Sequence, residues 1–72
     1  MRFAIVGCGN IAKKHIHVIE NYLEYSKIAC FCDRDADRAK GLGEKLGVPS
    51  FSSSTEMLSA MGDEIDIVSI LT

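Results

Sequence analysis

The segment Gly7-Cys8-Gly9-Asn10-Ile11-Ala12 places two glycines and a small residue at the spacing G-x-G-x-x-G/A. In that pattern the first glycine permits a tight turn and the second lets the backbone approach a pyrophosphate; the third small residue lets a helix pack closely on a strand. A helix opening at this turn would aim its unpaired N–H groups, and roughly half a positive charge, at the place where a diphosphate would lie. The second chemical signal is Asp33, which follows the motif at the separation of about 20 residues that the fingerprint requires. A carboxylate there can accept both hydroxyls of an adenosine ribose, which favours NAD over a cofactor carrying a 2′-phosphate. Arg34 and Arg38 keep NADP open as the alternative, because a guanidinium pairs with a phosphate through two parallel hydrogen bonds. Taken alone, Arg38 reads as a solvated cation on a helix face.

The remaining reactive side chains point elsewhere. His15 and His17 fall inside a helical stretch with no Cys, Asp or Glu at ligand spacing, so surface or structural roles are expected and no metal site is assigned. The cysteines Cys8, Cys30 and Cys32 are odd in number and contain no Cys-x-x-Cys pair, which argues against a disulfide framework or zinc site and for reduced core thiols. A helix N-terminus beside Cys8 could lower its pKa, but the x position of this motif offers only its backbone. Tyr22, Tyr25 and the three phenylalanines are expected in core or edge packing.

These residues need elements to position them. Residues 2–7 form an apolar run with almost no alternation, the pattern of a strand buried on both faces of a parallel sheet. From Asn10 to about Tyr25, the apolar residues Ile11, Ala12, Ile16, Ile19 and Leu23 recur at three and four, predicting an amphipathic helix. Residues 27–33 are a second apolar run that stops at an acid, with Cys30 and Cys32 on one face. Ala36, Ala39, Leu42 and Leu46 then mark a second helix, ended by Gly47 and Pro49. Residues 50–52 make a short strand or extended link, and Ser53 with Glu56 forms a capping-box signature before a short third helix ending near Gly62. The β-branched run 65–71 predicts another buried strand. Strands alternating with helices imply right-handed βαβ crossovers, so the expected fold class is α/β, a Rossmann-type doubly wound parallel sheet of about four strands in the order 3-2-1-4.

Composition bounds the function. With 72 residues, 47% hydrophobic and 25% charged, the chain is globular in character but short for a complete domain. It is read as the N-terminal part of a dinucleotide-binding domain. A net charge of −2 supplies no basic face for a nucleic acid or an anionic membrane. The apolar run before Gly7 is too short for a signal peptide, and no stretch approaches the ~20 apolar residues of a membrane span, so a cytoplasmic location is expected.

The run from Ala4 through the glycine motif to His15, the stretch Cys32-Asp-Arg-Asp-Ala-Asp-Arg-Ala39 and the stretch Glu64-Ile-Asp-Ile-Val-Ser-Ile-Leu-Thr72 resemble the Gfo/Idh/MocA family of sugar and cyclitol oxidoreductases. The resemblance covers the whole chain. It implies that Gly7, Gly9, Asn10, Ile11 and Ala12 form the pyrophosphate turn, that Asp33 and Arg34 clamp the adenosine ribose, and that Leu71 and Thr72 line the cofactor. It implies also hydride transfer between NAD(P) and a hydroxyl of a sugar, sugar nucleotide or cyclitol, in a homo-oligomer. The family's Glu-Lys-Pro lysine and its later Asp and His are expected beyond Thr72, so no catalytic residue is assigned within these positions. Two other classes use a similar turn: an NAD(H)-sensing module without catalysis, and an S-adenosylmethionine-dependent methyltransferase. Ala12 and the helix that follows at once argue against the latter. By themselves, these residues are expected to expose the free edge of strand four and to associate.

Overall fold

A computed structural model of the chain describes residues 1–21 and 24–71. Four strands, β1 (Arg2–Val6), β2 (Lys27–Cys32), β3 (Ser50–Phe51) and β4 (Ile67–Ile70), alternate with three helices, α1 (Asn10–Asn21), α2 (Ala36–Leu46) and α3 (Ser54–Met61). A turn of 3-10 helix, Gly62–Glu64, leads from α3 towards β4. All pairings are parallel and the sheet order is β3-β2-β1-β4, the order expected from the βαβ pattern. The first two strands are apolar because they lie at the centre, covered on both faces.

Two cores divide the faces. On one, Ile5, Ile28 and Phe31 pack with Ala12 and Ile19 of α1 and Ala39 of α2. On the other, Ala4, Cys30 and Cys32 pack with Met57 of α3. Cys30 and Cys32 therefore share a face, as period-two alternation demands. All three cysteines are free and buried, filling space as small apolar groups. Phe31 and Ile5 are fully buried, each contributing about 1.5–3 kcal/mol by removal from water.

One step of the β1–β2 ladder is irregular. Phe3 pairs with Ile28 but Ala4 pairs with Cys30, so Ala29 is an extra residue in β2. That single residue changes the parity of the strand: Ile28 joins Phe31 in the core under α1, whereas unbroken alternation would have sent it to the side of Cys30.

Local signals end the helices. The Asp35 side chain accepts the N–H groups of Asp37 and Arg38 to cap α2, and Gly47 closes it in the left-handed region at φ 71°. The Ser53 hydroxyl accepts the Glu56 N–H at the start of α3. At the bottom edge, Arg2 and Asp66 exchange backbone and side-chain bonds: Arg2 N–H donates to Asp66 Oδ2 at 2.7 Å, and Asp66 N–H donates to Arg2 O at 2.9 Å.

Several expectations need correction. The first helix is described over Asn10–Asn21, and Tyr25, expected at its end and in packing, sits in the turn before β2, 85% exposed. Tyr22 and Leu23 lie outside the described residues. Ile11 is 60% exposed, because at ~100° per residue it points about a quarter-turn away from the stripe that Ala12, Ile16 and Ile19 share. The fourth strand is not buried on both faces. Ile67 and Ser69 are half-buried, but Val68 and Ile70 are exposed, since among the described residues β4 pairs only with β1 and α3 covers the sheet over β1 and β2.

Candidate functional site

The carboxyl ends of β1, β2 and β3 meet at one edge of the sheet, where open α/β folds bind ligands. There β1 gives way to the turn Gly7-Cys8-Gly9 and α1 begins at Asn10. Gly7 has φ 96°, a conformation that L side chains rarely adopt. Its N–H donates to Cys32 O at 2.8 Å, tying the turn to the end of β2. Leu71 N–H donates to Val6 O at 2.8 Å from the other side.

Gly9 has a different explanation. Its φ is not positive, and a Cβ placed on it would meet nothing within 4 Å. No packing within the described residues needs a glycine there, which is the observation expected where a ligand approaches the backbone. Gly9 also has no side chain to cap α1, and the first turn of that helix carries no acid, so the N–H groups ahead of Ala12, whose own N–H is taken by Gly9 O, are left for an anion.

Asp33 follows directly on β2, half-buried at the rim. Its Oδ2 accepts the Cys8 N–H at 2.7 Å and its Oδ1 accepts the Asp35 N–H at 2.9 Å. These two backbone donors, that of Cys8 first, hold its carboxyl below the usual carboxylate range. A carboxylate offers about four lone-pair sites, so each oxygen retains one for a further donor such as a ribose hydroxyl. Burial, followed by the Asp33 charge, pushes the Cys8 thiol up to about 11. These outweigh the lowering by the bond to Cys32 O and by the Arg38 charge, and Cys8 serves the turn through its backbone N–H.

Gly7, Gly9, Asp33, Arg34, Arg38 and Leu71 all line one cleft of about 700 Å³, within the ~300–1,000 Å³ range of small-molecule sites. A shallower groove of about 430 Å³ continues from Gly9 past Asn10 and Lys13 to Asp37 and Arg38. Arg38 Nε lies 3.5 Å from Asp35 Oδ2 with both side chains largely exposed, a pairing of about 0–1 kcal/mol that a phosphate could displace.

Not every expected residue reaches the cleft. Ile11 lines neither depression. Ala12 is fully buried and its N–H donates to Gly9 O at 3.1 Å, so its contribution is the close packing of α1 on the sheet. Thr72 lies outside the described residues. His15 and His17 are exposed on α1, and among the described residues no group of three His, Cys, Asp or Glu could hold a metal ion. No helix among them is long and apolar enough to cross a membrane.

Sequence reasoning missed Ser52, Ser53 and Ser54, which line the cleft opposite the glycine turn. Their signal was the strand order itself: with β3 beside β2, whatever follows β3 must stand next to Asp33. It missed also the bond between Asp33 and Cys8, which joins residues 25 apart in sequence.

A parallel sheet wound on both faces, with a glycine turn entering a helix and an acid ending the neighbouring strand, defines an α/β fold of the Rossmann type. The family model of the Gfo/Idh/MocA oxidoreductases, described as an oxidoreductase family with an NAD-binding Rossmann fold, matches residues 1–72, and the chain belongs to that family. Among solved structures it is similar to the WlbA dehydrogenase of Chromobacterium violaceum, solved with NADH and UDP-GlcNAcA, at 35% identity and a TM-score of 0.88 over 100% of this chain and 20% of that one. An oxidoreductase from Agrobacterium radiobacter, solved with NAD+, L-tartaric acid and magnesium, matches at 29% identity and a TM-score of 0.85, over 100% of this chain and 20% of its own. UDP-N-acetylglucosamine 3-dehydrogenase from Acidithiobacillus ferrooxidans matches at 30% identity and a TM-score of 0.73, over 100% and 21%. The chain thus spans about a fifth of the length of these solved relatives. A search of curated protein sequences gives no match.

Proposed function

We propose that these residues form the cofactor-binding portion of a dehydrogenase that passes hydride between a nicotinamide cofactor and a hydroxyl of a sugar, sugar nucleotide or cyclitol. The observation that carries the cofactor reading is Gly9: open space above a backbone that nothing in the fold requires to be glycine, at the mouth of a helix with free N–H groups. The turn Gly7 to Gly9 and the first N–H groups of α1, from Asn10 onward, receive the diphosphate. Asp33 accepts the ribose hydroxyls with the lone pairs its backbone donors leave free. Arg34 borders the adenosine half and Leu71 the strand end beyond it. The bound nicotinamide supplies the hydride chemistry; this chain's residues bind and orient.

The substrate class rests on likeness to relatives solved with UDP-GlcNAcA or named for UDP-N-acetylglucosamine. Residues 1–72 are accordingly the N-terminal part of a larger enzyme whose proton-transfer groups lie elsewhere. NAD is favoured over NADP because the Asp33 carboxylate faces the place where a 2′-phosphate would stand, and like charges repel. Arg38 supports NADP as a second reading, since its weak pair with Asp35 leaves it available.

Calorimetric titration of the complete protein with NAD+, NADP+ and S-adenosylmethionine tests this. NAD+ is expected to bind most tightly, and Asp33→Ala to weaken it by about 10- to 100-fold, the range for hydrogen bonds to a charged group. Binding of S-adenosylmethionine alone would refute the proposal.

A further inference from the structure

The Asp33 carboxylate is already engaged before any ligand is considered. Its Oδ2 takes the N–H of Cys8, the middle residue of the glycine turn, at 2.7 Å, and its Oδ1 takes the N–H of Asp35 at 2.9 Å. The second bond fixes the direction in which the carboxylate points, because Asp35 is itself held as the N-cap of α2. The first transmits that direction to the turn. On its other flank the turn hangs from the end of β2 through Gly7 N–H and Cys32 O. Between Gly7, in the left-handed region, and Asn10, where α1 starts, no described side chain other than Asp33 bonds to the backbone of the turn.

We propose that Asp33 is a positioning residue for the glycine turn: through the Cys8 N–H it holds the turn in the shape that presents the Gly9 backbone and the α1 terminus to a diphosphate. This role is additional to the ribose contact. It rests on the reading of the cleft as a dinucleotide site, but the brace itself exists without a ligand. The turn is then preorganised by α2 acting through Asp35 and Asp33, so the cradle and the ribose acceptor form one unit.

The two roles predict opposite signs. If Asp33 served only the ribose, replacing it by alanine would remove a negative charge beside an anion site, and inorganic pyrophosphate, which has no ribose, would bind equally well or better. As a brace, its loss loosens the cradle and pyrophosphate binds less well. Asn at this position keeps an oxygen that accepts the Cys8 N–H, and it should rescue the turn.

The test uses the complete protein as wild type, Asp33→Asn, Asp33→Ala and Asp33→Ser, whose hydroxyl is too short to span to Cys8. Amide hydrogen exchange at Cys8, measured without ligand, should be slow in wild type and Asp33→Asn, and about 10-fold or more faster in the two truncated variants. Pyrophosphate affinity, read by calorimetry, should fall by about 5-fold or more in Asp33→Ala and Asp33→Ser and be largely retained in Asp33→Asn. Unchanged Cys8 exchange in the truncated variants, or tighter pyrophosphate binding by them, would overturn the brace. A wild type that protects Cys8 in this Asp33-dependent manner yet binds no nicotinamide dinucleotide would sink the proposed function while the brace stands.

Discussion

Gly9 separates what the fold needs from what a ligand needs. A methyl group there meets no described atom and no left-handed backbone opposes it, so Gly9→Ala should shift stability by no more than about 1 kcal/mol, chiefly through the N-terminus of α1. In the proposed binding mode the same methyl would stand where the diphosphate approaches. Affinity for NAD+ should drop by about 10-fold or more, and thermal melting beside calorimetric titration would separate the two effects. Equal loss of both would return Gly9 to an ordinary packing role. Acid titration probes the carboxylates Asp33 and Asp66, whose backbone donors hold both below the usual value of 3.8. For groups lowered in the folded state, the stabilisation is present in full above that value and is lost as pH falls through the folded pKa. Urea midpoints measured from pH 6 down to about pH 2 should therefore decline on the acid side, and Asp33→Asn or Asp66→Asn should each flatten the decline.

Helix α2 shows at the scale of one element how two glycines can have opposite meanings. A Cβ on Gly43 would lie 2.7 Å from Val48 O and 3.3 Å from Ser50 Cβ, where α2 turns back into β3. Backbone atoms cannot yield cheaply, so Gly43→Ala should destabilise by about 1–3 kcal/mol. Gly41, two residues earlier, faces open space, and Gly41→Ala should stabilise by about 0.5–1 kcal/mol by restricting the unfolded chain and favouring the helix. Chemical denaturation of the two variants reads the contrast directly; equal signs would contradict the packing described. The elements themselves were largely legible from sequence because the cues were local: the continuous apolar runs of β1 and β2, the Gly47 stop, the Ser53 cap. Asp33 and the glycine turn were legible for the same reason, each lying at the end of a recognisable run. Ser52 to Ser54 were not, since a serine cluster reads as a turn until the strand order puts it beside Asp33. The exposure of Val68 and Ile70 was hidden too, because composition gives the strand but not its coverage.

For the molecule as a whole, the exposed face of β4 sets the behaviour of these residues in isolation. Val68 is 41% and Ile70 68% exposed, on one face of a strand that among the described residues pairs with β1 alone. An unpaired edge with apolar residues invites association. Residues 1–72 prepared alone should sediment as oligomers or aggregates, and Ile70→Lys should shift the distribution towards monomer; a monodisperse, cooperatively melting wild-type fragment would contradict this. The site lies at one end of the sheet, and the irregular pairing at Ala29 lies towards the other. From Ala4 onward the two central strands run in step to Val6 and Cys32, so the relation between Gly7 and Asp33 is fixed downstream of the irregularity. Ala29 is thus a slack link upstream of the mouth: residues gained or lost near the start of β2 can be absorbed there as a larger or smaller kink. A residue inserted in the connection ahead of Lys27 should accordingly leave the register from Ala4 to Val6, and with it the distance from the Asp33 carboxylate to the glycine turn, unchanged.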